Sequence, residues 1–373
     1  MKIGILTLQP RTNFGGILQT YAMQETLKKM GHNTVLLDSN PFVSLPARRR
    51  YLIYFKRAIQ KYILGKNIAI KIDQKINKDF SFISQHTITF INHNITKEER
   101  KKDFSDIKAD EFKAFIVGSD QIWRPKYFHT HIKQAFLAFA KDWNVKRIAY
   151  AASFGTDEWE YSPEETAECS TLAKMFDAIS VREASAVEIC KERLGVEATH
   201  LLDPTMLLTA EEYIKLFQEA KTPKSTGNLM CYILDRNEET NKITGLVSSQ
   251  KGLTAFHTNS RVEDGNAPIE ERVQPPVENW LRGFYDAEFV ITDSFHACVF
   301  SILFNKPFIV YGNKERGMAR FNSLLSIFNL QERLVATPQE AQEIINKAID
   351  WKNVNDTLDK WREKSNKFLK AHL

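Results

Sequence analysis

Cysteine is scarce. Four residues, Cys169, Cys190, Cys231 and Cys298, are scattered over 373 positions without a CxxC pair. That argues against a disulfide framework or a paired-thiol zinc site and fits reduced thiols in a cytoplasmic setting. Long apolar runs are also missing. No stretch approaches the roughly 18 apolar residues that a spanning helix requires. The opening run MKIGILTL is short, carries a lysine and meets Pro10 and Arg11, which is not a secretory signal. Charge of one sign is not in great excess either: the formal net charge of +5 gives no reason to expect nucleic acid as a partner. No internal repeat or low-complexity tract is evident.

What is present is the composition of a folded enzyme-sized chain. Hydrophobic residues make up 43%, including 25 phenylalanines, so sizeable cores can form. The length exceeds what one core usually holds, which predicts two domains. Short apolar runs alternate with helical patterns. Strands are expected at 2–8, 33–38, 112–118, 146–153, 177–183 and 199–203, and again at 228–234, 253–258, 288–293 and 307–311. Short buried strands joined by helices predict an α/β fold with parallel sheets. The pattern restarts after Pro204. It predicts an N-terminal domain over 1–204, a second domain over 205–350, and a C-terminal helix over 351–373 that can pack back on the first domain.

Residues 46–78 stand apart as an insertion, with ten Lys/Arg and one Asp. At helical spacing Tyr51, Phe55, Ala58, Ile59, Tyr62 and Ile63 share one face, and Lys56, Arg57, Gln60 and Lys61 lie opposite. Such a helix suits an anionic membrane surface. It equally suits a solvated basic helix whose apolar side packs on the domain.

Ligands in α/β sheets sit at the carboxyl ends of strands. After the first strand, Asn13-Phe14-Gly15-Gly16 enters a helix containing Gln19. The glycines let backbone approach an anion, or they serve a tight turn. After the third predicted strand comes Gly118-Ser119-Asp120-Gln121-Ile122-Trp123. Asp120 can act as a base and Trp123 can stack on a sugar ring, or the two can cap a turn and fill a core. Arg182 ends a later strand, where its fork can hold a phosphate or carboxylate, or pair with a neighbouring glutamate. Asp293-Ser294-Phe295-His296 ends a buried strand and opens a helix, placing His296 to serve as a general acid or an oxyanion partner, or to cap or bridge groups inside the crevice. Lys314, Arg316 and Arg320 follow the next strand and can form an anion site or a solvated basic turn.

In this order and spacing, Asn13 to Gln19, Gly118 to Trp123, Ser180-Val181-Arg182-Glu183, Asp203-Pro204-Thr205 and Thr292 to His296 resemble the polysaccharide pyruvyl transferase family. The resemblance implies two Rossmann-like domains in a GT-B-like arrangement with the active site in the cleft between them. It implies transfer of pyruvate from phosphoenolpyruvate to a sugar as a cyclic ketal, the acceptor being a lipid-linked or polysaccharide-precursor saccharide. Phosphoenolpyruvate is a co-substrate; no cofactor or metal is expected. On this reading His296 and Asp120 are catalytic. Arg182, Ser294, Lys314, Arg316 and Arg320 meet the donor. Asn13, Gly15, Gly16, Gln19, Ser119, Trp123 and Asp293 line the acceptor side or the cleft. One departure stands out: many members carry an arginine where this chain has Ser294, so another cation must take its place. Two other readings of the same architecture are a sugar-nucleotide-dependent glycosyltransferase and a non-catalytic glycan-binding relative.

Overall fold

The computed structural model describes residues 1–39, 41–43, 45–128, 131–312 and 318–373, with Ala47 and Arg48 as backbone only. The expected sites Lys314 and Arg316 lie outside the described residues. The chain forms two parallel α/β sheets. The first contains β1 (Lys2–Leu6), β2 (Asn33–Ser39), β3 (Lys97–Arg100), β4 (Ala114–Val117), β5 (Lys146–Ala152), β6 (Ala178–Val181) and β7 (Thr199–His200). Its spatial order is 3-2-1-4-5-6-7. The second contains β8 (Leu229–Tyr232), β9 (Ala255–Phe256), β10 (Phe289–Thr292), β11 (Phe308–Tyr311) and β12 (Leu334–Val335), in the order 12-11-10-8-9. All pairings are parallel.

Both orders belong to doubly wound sheets, the first Rossmann-like and the second flavodoxin-like. Each reverses direction once, between β1 and β4 and between β8 and β10. A crevice opens at such a point because the connections leave on opposite faces of the sheet. The two crevices meet in a GT-B-like arrangement, and residues from both border the same cavity. The central strands are buried on both faces, which is why they read as unbroken apolar runs.

Two strands fall outside the sequence expectation. β3 reads KEER and contains no apolar residue. As an edge strand it needs none, and its charges blunt the open edge. Glu98 pairs with Lys2 at 2.9 Å and with Arg100. β12 is only two residues long.

The domains are tied by aromatic packing. Phe14, on the helix Phe14–Lys29, enters the second domain and meets Trp280 and Tyr232, with ring centroids 5.6 and 6.1 Å away. Gln274 donates to the Thr12 carbonyl at 2.9 Å, and the Ala184 amide donates to Ser323 Oγ at 2.9 Å.

The C-terminal helix Trp351–His372 lies against the first sheet. Leu369 is buried among Ile3, Ile5, Met23, Leu27, Ile116 and Ile148. Lys146 Nζ reaches the last two carbonyls at 3.0 Å each, favourable for a cation at a helix C-terminus. Leu369→Ala should therefore lower the unfolding free energy by about 2–5 kcal/mol, the cost of a core cavity. Urea unfolding measures this, and a loss below about 0.5 kcal/mol, the range of ordinary surface substitutions, would mean the helix is not part of that core.

Candidate active site

The site is built where β1, β4, β6, β7 and β10 end. Beyond β1, Asn13 caps the helix Phe14–Lys29: its Oδ1 accepts the Gly16 amide at 3.0 Å. That amide is used internally and is not offered to a ligand. Gly15 is glycine for a different reason. A Cβ there would lie 2.0 Å from Nδ1 of His296, so the imidazole occupies the space a side chain would need. The contact crosses the domain boundary and brings the two ends of the site together.

Asp203, just past β7, is the hub. Its carboxylate is buried. Oδ1 accepts from the Thr205 amide at 3.0 Å and the Thr205 hydroxyl at 2.7 Å. Oδ2 accepts from Ser119 Oγ at 3.1 Å and Arg182 Nη1 at 2.8 Å, and lies 3.6 Å from His296 Nε2. The last distance is ion-pair range, slightly long for a hydrogen bond. Burial alone would raise the Asp203 pKa, but His296 and Arg182 together hold it well below the usual carboxylate range.

Arg182 is buried behind this carboxylate. It pairs with Asp203, with Asp120 Oδ1 at 3.3 Å and with Glu183 at 3.5 Å. Burial acts to lower its pKa, and the three carboxylates outweigh that and raise it. Arg182 does not border the cavity, and its charge is already spent on protein groups. The expected donor contact by Arg182 is therefore corrected: it is a positioning residue that fixes Asp120 and Asp203. Glu183 has its pKa raised by burial, against the opposing pull of Arg182 and of Ser153, which donates to it at 2.5 Å.

The cavity in front has a volume of about 240 Å³. Asn13, Gly16, Asp120, Ser294, His296 and Arg320 border it. Asp120 sits at φ 48°, a left-handed backbone that few non-glycine residues adopt. Its Oδ1 faces Arg182, and its Oδ2 lies on the Gly16 side, 3.9 Å from where a Gly16 Cβ would be. Ser294 precedes the helix Phe295–Leu303, and its own side chain makes no capping bond. Arg320, near the start of the helix Ala319–Ile327, lies over the Phe295 ring at 5.6 Å, with Arg182 over the same ring at 4.5 Å. Burial, then the positive charge of Arg182, push the Arg320 pKa down to about 10.

Four other expected site residues are committed to internal contacts. Trp123 is fully buried, stacked on Phe136 with centroids 4.8 Å apart, and its indole N–H donates to the Ala135 carbonyl. It is a core residue and cannot meet a sugar. Gln19 is buried and bridges the Ser119 amide, Thr7, Thr20 and the Gly16 carbonyl. Ser119 is buried on Asp203. Asp293 borders the cavity, but its oxygens accept the Leu234 and Asp235 amides at 2.7 and 2.8 Å, so it shapes the end of β8. In each case a hydrogen-bonding group near the site satisfies backbone or buried side chains, which a linear pattern does not distinguish from ligand binding.

Beyond the cavity lies a larger polar chamber of about 750 Å³ in the second domain. Asn13, Leu234 and Glu263 border both spaces. Arg236, Asn259, Ser260, Arg261 and Gln274 line the chamber. Sequence reasoning missed these residues: Arg236, Asn259 and Ser260 follow predicted strands but form no recognisable motif, and Arg261 and Gln274 lie in the loop beyond. It also did not give Asp203 a role in the site, although Asp203-Pro204-Thr205 follows a predicted strand.

Asp203→Asn removes the charge that faces Arg182 and His296. The folded-state pKa of Asp203 is depressed, so its stabilisation is present above the unfolded value of about 4 and is lost as pH falls below it. The substitution should cost about 3–5 kcal/mol at neutral pH, with the deficit shrinking in acid. Denaturant unfolding across pH checks both the size and the sign, and a deficit that grows below pH 4 would contradict this assignment.

No curated protein matches the chain. Among solved structures, a UDP-GlcNAc 2-epimerase from Neisseria meningitidis aligns with a TM-score of 0.50 at 10% identity, covering 99% of this chain and 98% of that one. A UDP-GlcNAc 2-epimerase from Methanocaldococcus jannaschii aligns at 0.48 and 13%, covering 95% of each chain. A glycosyltransferase from Rickettsia africae ESF-5 aligns at 0.49 and 9%, covering 100% of this chain and 93% of that one. At such identities the first likeness speaks to the fold alone, and the other two carry no argument. The sequence itself is more specific: residues 13–315 match the family described as Polysaccharide pyruvyl transferase, a span that takes in most of both sheets and the site residues from Asn13 to His296, and the chain belongs to that family.

Proposed function

We propose that the protein transfers pyruvate from phosphoenolpyruvate to two hydroxyls of a saccharide, forming a cyclic ketal. The acceptor is a polysaccharide precursor carried on a lipid, which would place the enzyme at the inner face of the cytoplasmic membrane. The observation that carries this reading is the pairing, on one cavity, of an acid candidate and an anion holder: His296 backed by Asp203, and Arg320 packed on Phe295.

Arg320 is the cation in this site suited to replace the family arginine absent at Ser294. Its charge is disfavoured by burial and by Arg182, and a trianionic ligand in the cavity would relieve both. The N-terminus of the helix Phe295–Leu303 adds favourable potential for an anion. Ser294 is small enough to leave room for the ligand and can donate a hydrogen bond.

The chemistry follows from these positions. His296, as imidazolium complemented by Asp203, delivers a proton to the methylene carbon of phosphoenolpyruvate, and C2 becomes electrophilic. The first acceptor hydroxyl adds to C2 as Asp120 takes its proton. The C2–O bond to phosphate then breaks, with Arg320 neutralising the leaving group. The second hydroxyl closes the ketal. Of the two hydroxyl protons, one balances the methyl group through His296 and the other leaves on phosphate. The polar chamber adjoining through Asn13 and Glu263 supplies the space for the saccharide.

His296→Ala should lower kcat by about 10²–10⁴-fold with little change in the acceptor KM. Arg320→Lys keeps the charge but loses the fork, so it should raise the KM for phosphoenolpyruvate more than that for the acceptor. Phosphate release with both substrates varied measures each effect. Activity of His296→Ala within a few-fold of wild type would remove His296 from the mechanism. Consumption of a sugar nucleotide in place of phosphoenolpyruvate would favour a glycosyltransferase instead.

A further inference from the structure

The helix Ala47–Tyr62 is docked with Arg50, Ile53, Tyr54, Arg57, Ala58 and Gln60 on its half-buried side. Tyr54 donates to Asp73 Oδ1 at 2.5 Å, and Arg57 Nε donates to the Ala69 carbonyl at 2.6 Å. These bonds fix the rotation of the helix. The sequence wheel set Arg57 and Gln60 opposite the apolar face as solvated residues; both are instead half-buried, and Ala58 is turned away from the outer face.

The outward face carries large apolar groups interspersed with the exposed cations Arg49, Lys56 and Lys61. Tyr51 is 76% exposed, Phe55 68%, Tyr62 75% and Ile63 74%, and Leu52, Ile59 and Leu64 accompany them. Among the described residues, eleven of the fifteen exposed large hydrophobic side chains fall between Phe42 and Phe82. A folded protein does not ordinarily gather its exposed apolar residues on one helix, so the face needs a partner.

We infer that this face inserts into an anionic lipid leaflet. Charge selects that occupant. Residues 47–72 carry eight Lys/Arg and no Asp or Glu, so a negatively charged surface is attracted from every side of the stripe. Lys56 lies exposed between Phe55 and Ile59, and Lys61 and Lys66 flank Tyr62 and Ile63. Long lysine stems can reach the headgroups while the aromatic and aliphatic groups enter the acyl boundary. Face-to-face dimerisation of this helix would instead set these cations against one another.

The position also suits a lipid-borne acceptor. Asp73, which anchors the helix, lies on the neighbouring helix Ile72–Ile83. That helix packs against 269–272, and the Gln274 amide donates to the Ile83 carbonyl at 2.9 Å. Glu271 and Gln274 line the polar chamber. The inserted face and the chamber are thus joined through one packed segment, which sets the chamber beside the bilayer surface.

Vesicle sedimentation of the full chain tests the inference without phosphoenolpyruvate or saccharide, so its outcome is separate from the donor assignment. Wild type should bind phosphatidylcholine vesicles with about 30% phosphatidylglycerol and bind phosphatidylcholine alone far more weakly. Replacing Lys56, Lys61 and Lys66 by Gln should lower affinity for the anionic vesicles by at least about 30-fold, and salt should do the same. Replacing Leu52, Phe55 and Ile63 by Gln should abolish binding at any salt. These side chains point outward, so the melting temperature should hold, and phosphate release with a short soluble acceptor should be unchanged. Equal binding to both vesicle types, or apolar variants that bind like wild type, overturns the inference. A wild-type dimer that becomes monomeric in the apolar variant, with no vesicle binding, assigns the face to a second copy of the chain instead.

Discussion

The site depends on one buried carboxylate. Asp203 holds Arg182 and Ser119 from the first domain and Thr205 at the domain junction, and faces His296 from the second. A carboxylate removed from water is costly unless charges and donors compensate it. Here the compensation comes from the residues that form the site, so assembling the site and neutralising Asp203 are the same event. Arg182 extends the network to Asp120, and Phe295 carries it through ring contacts to Arg320. The proposed acid faces Asp203 directly, the proposed base is tied to it through Arg182, and the proposed anion holder through Arg182 and Phe295.

This network is possible because both sheets reverse strand order where they face each other. Each reversal opens a crevice without requiring a special sequence. The first domain supplies Asn13, Gly16 and Asp120; the second supplies Ser294, His296 and Arg320. Gly15 then sets how closely they approach. Its missing side chain admits the His296 ring, while Phe14, one residue earlier, is clamped by Trp280 and Tyr232. The Asn-Phe-Gly-Gly stretch thus works mainly as a junction between domains and only in part as a ligand loop.

Much of this was legible in the sequence, and the misses have physical causes. Central strands buried on both faces announce themselves as apolar runs; the all-charged β3 cannot, because its solvent-exposed edge needs no apolar residue. The strand ends carrying the site were visible, and His296, Asp120 and Arg320 do border one cavity. The division between wall and working surface was not visible. Ser119 and Trp123 sit in a polar loop, and Gln19 in the first turns of a helix, all placed to suit sugar binding, but each turns inward to satisfy the core. Arg182 looked like an anion binder because a linear pattern does not show that three carboxylates already surround it. The reason for Gly15 lies at the far end of the chain, in a histidine that only the fold brings near.

The central claim is that His296 delivers a proton to a phosphoenolpyruvate carbon in this cavity. Turnover in deuterium oxide, with phosphoenolpyruvate and a saccharide acceptor, tests it most directly by mass spectrometry of the product. The account predicts that the acceptor gains one pyruvate less one water, that phosphate appears in equal amount, and that the new methyl group carries a single solvent deuterium. A product without methyl deuterium, or phosphoenolpyruvate left unconsumed with every acceptor, would contradict it.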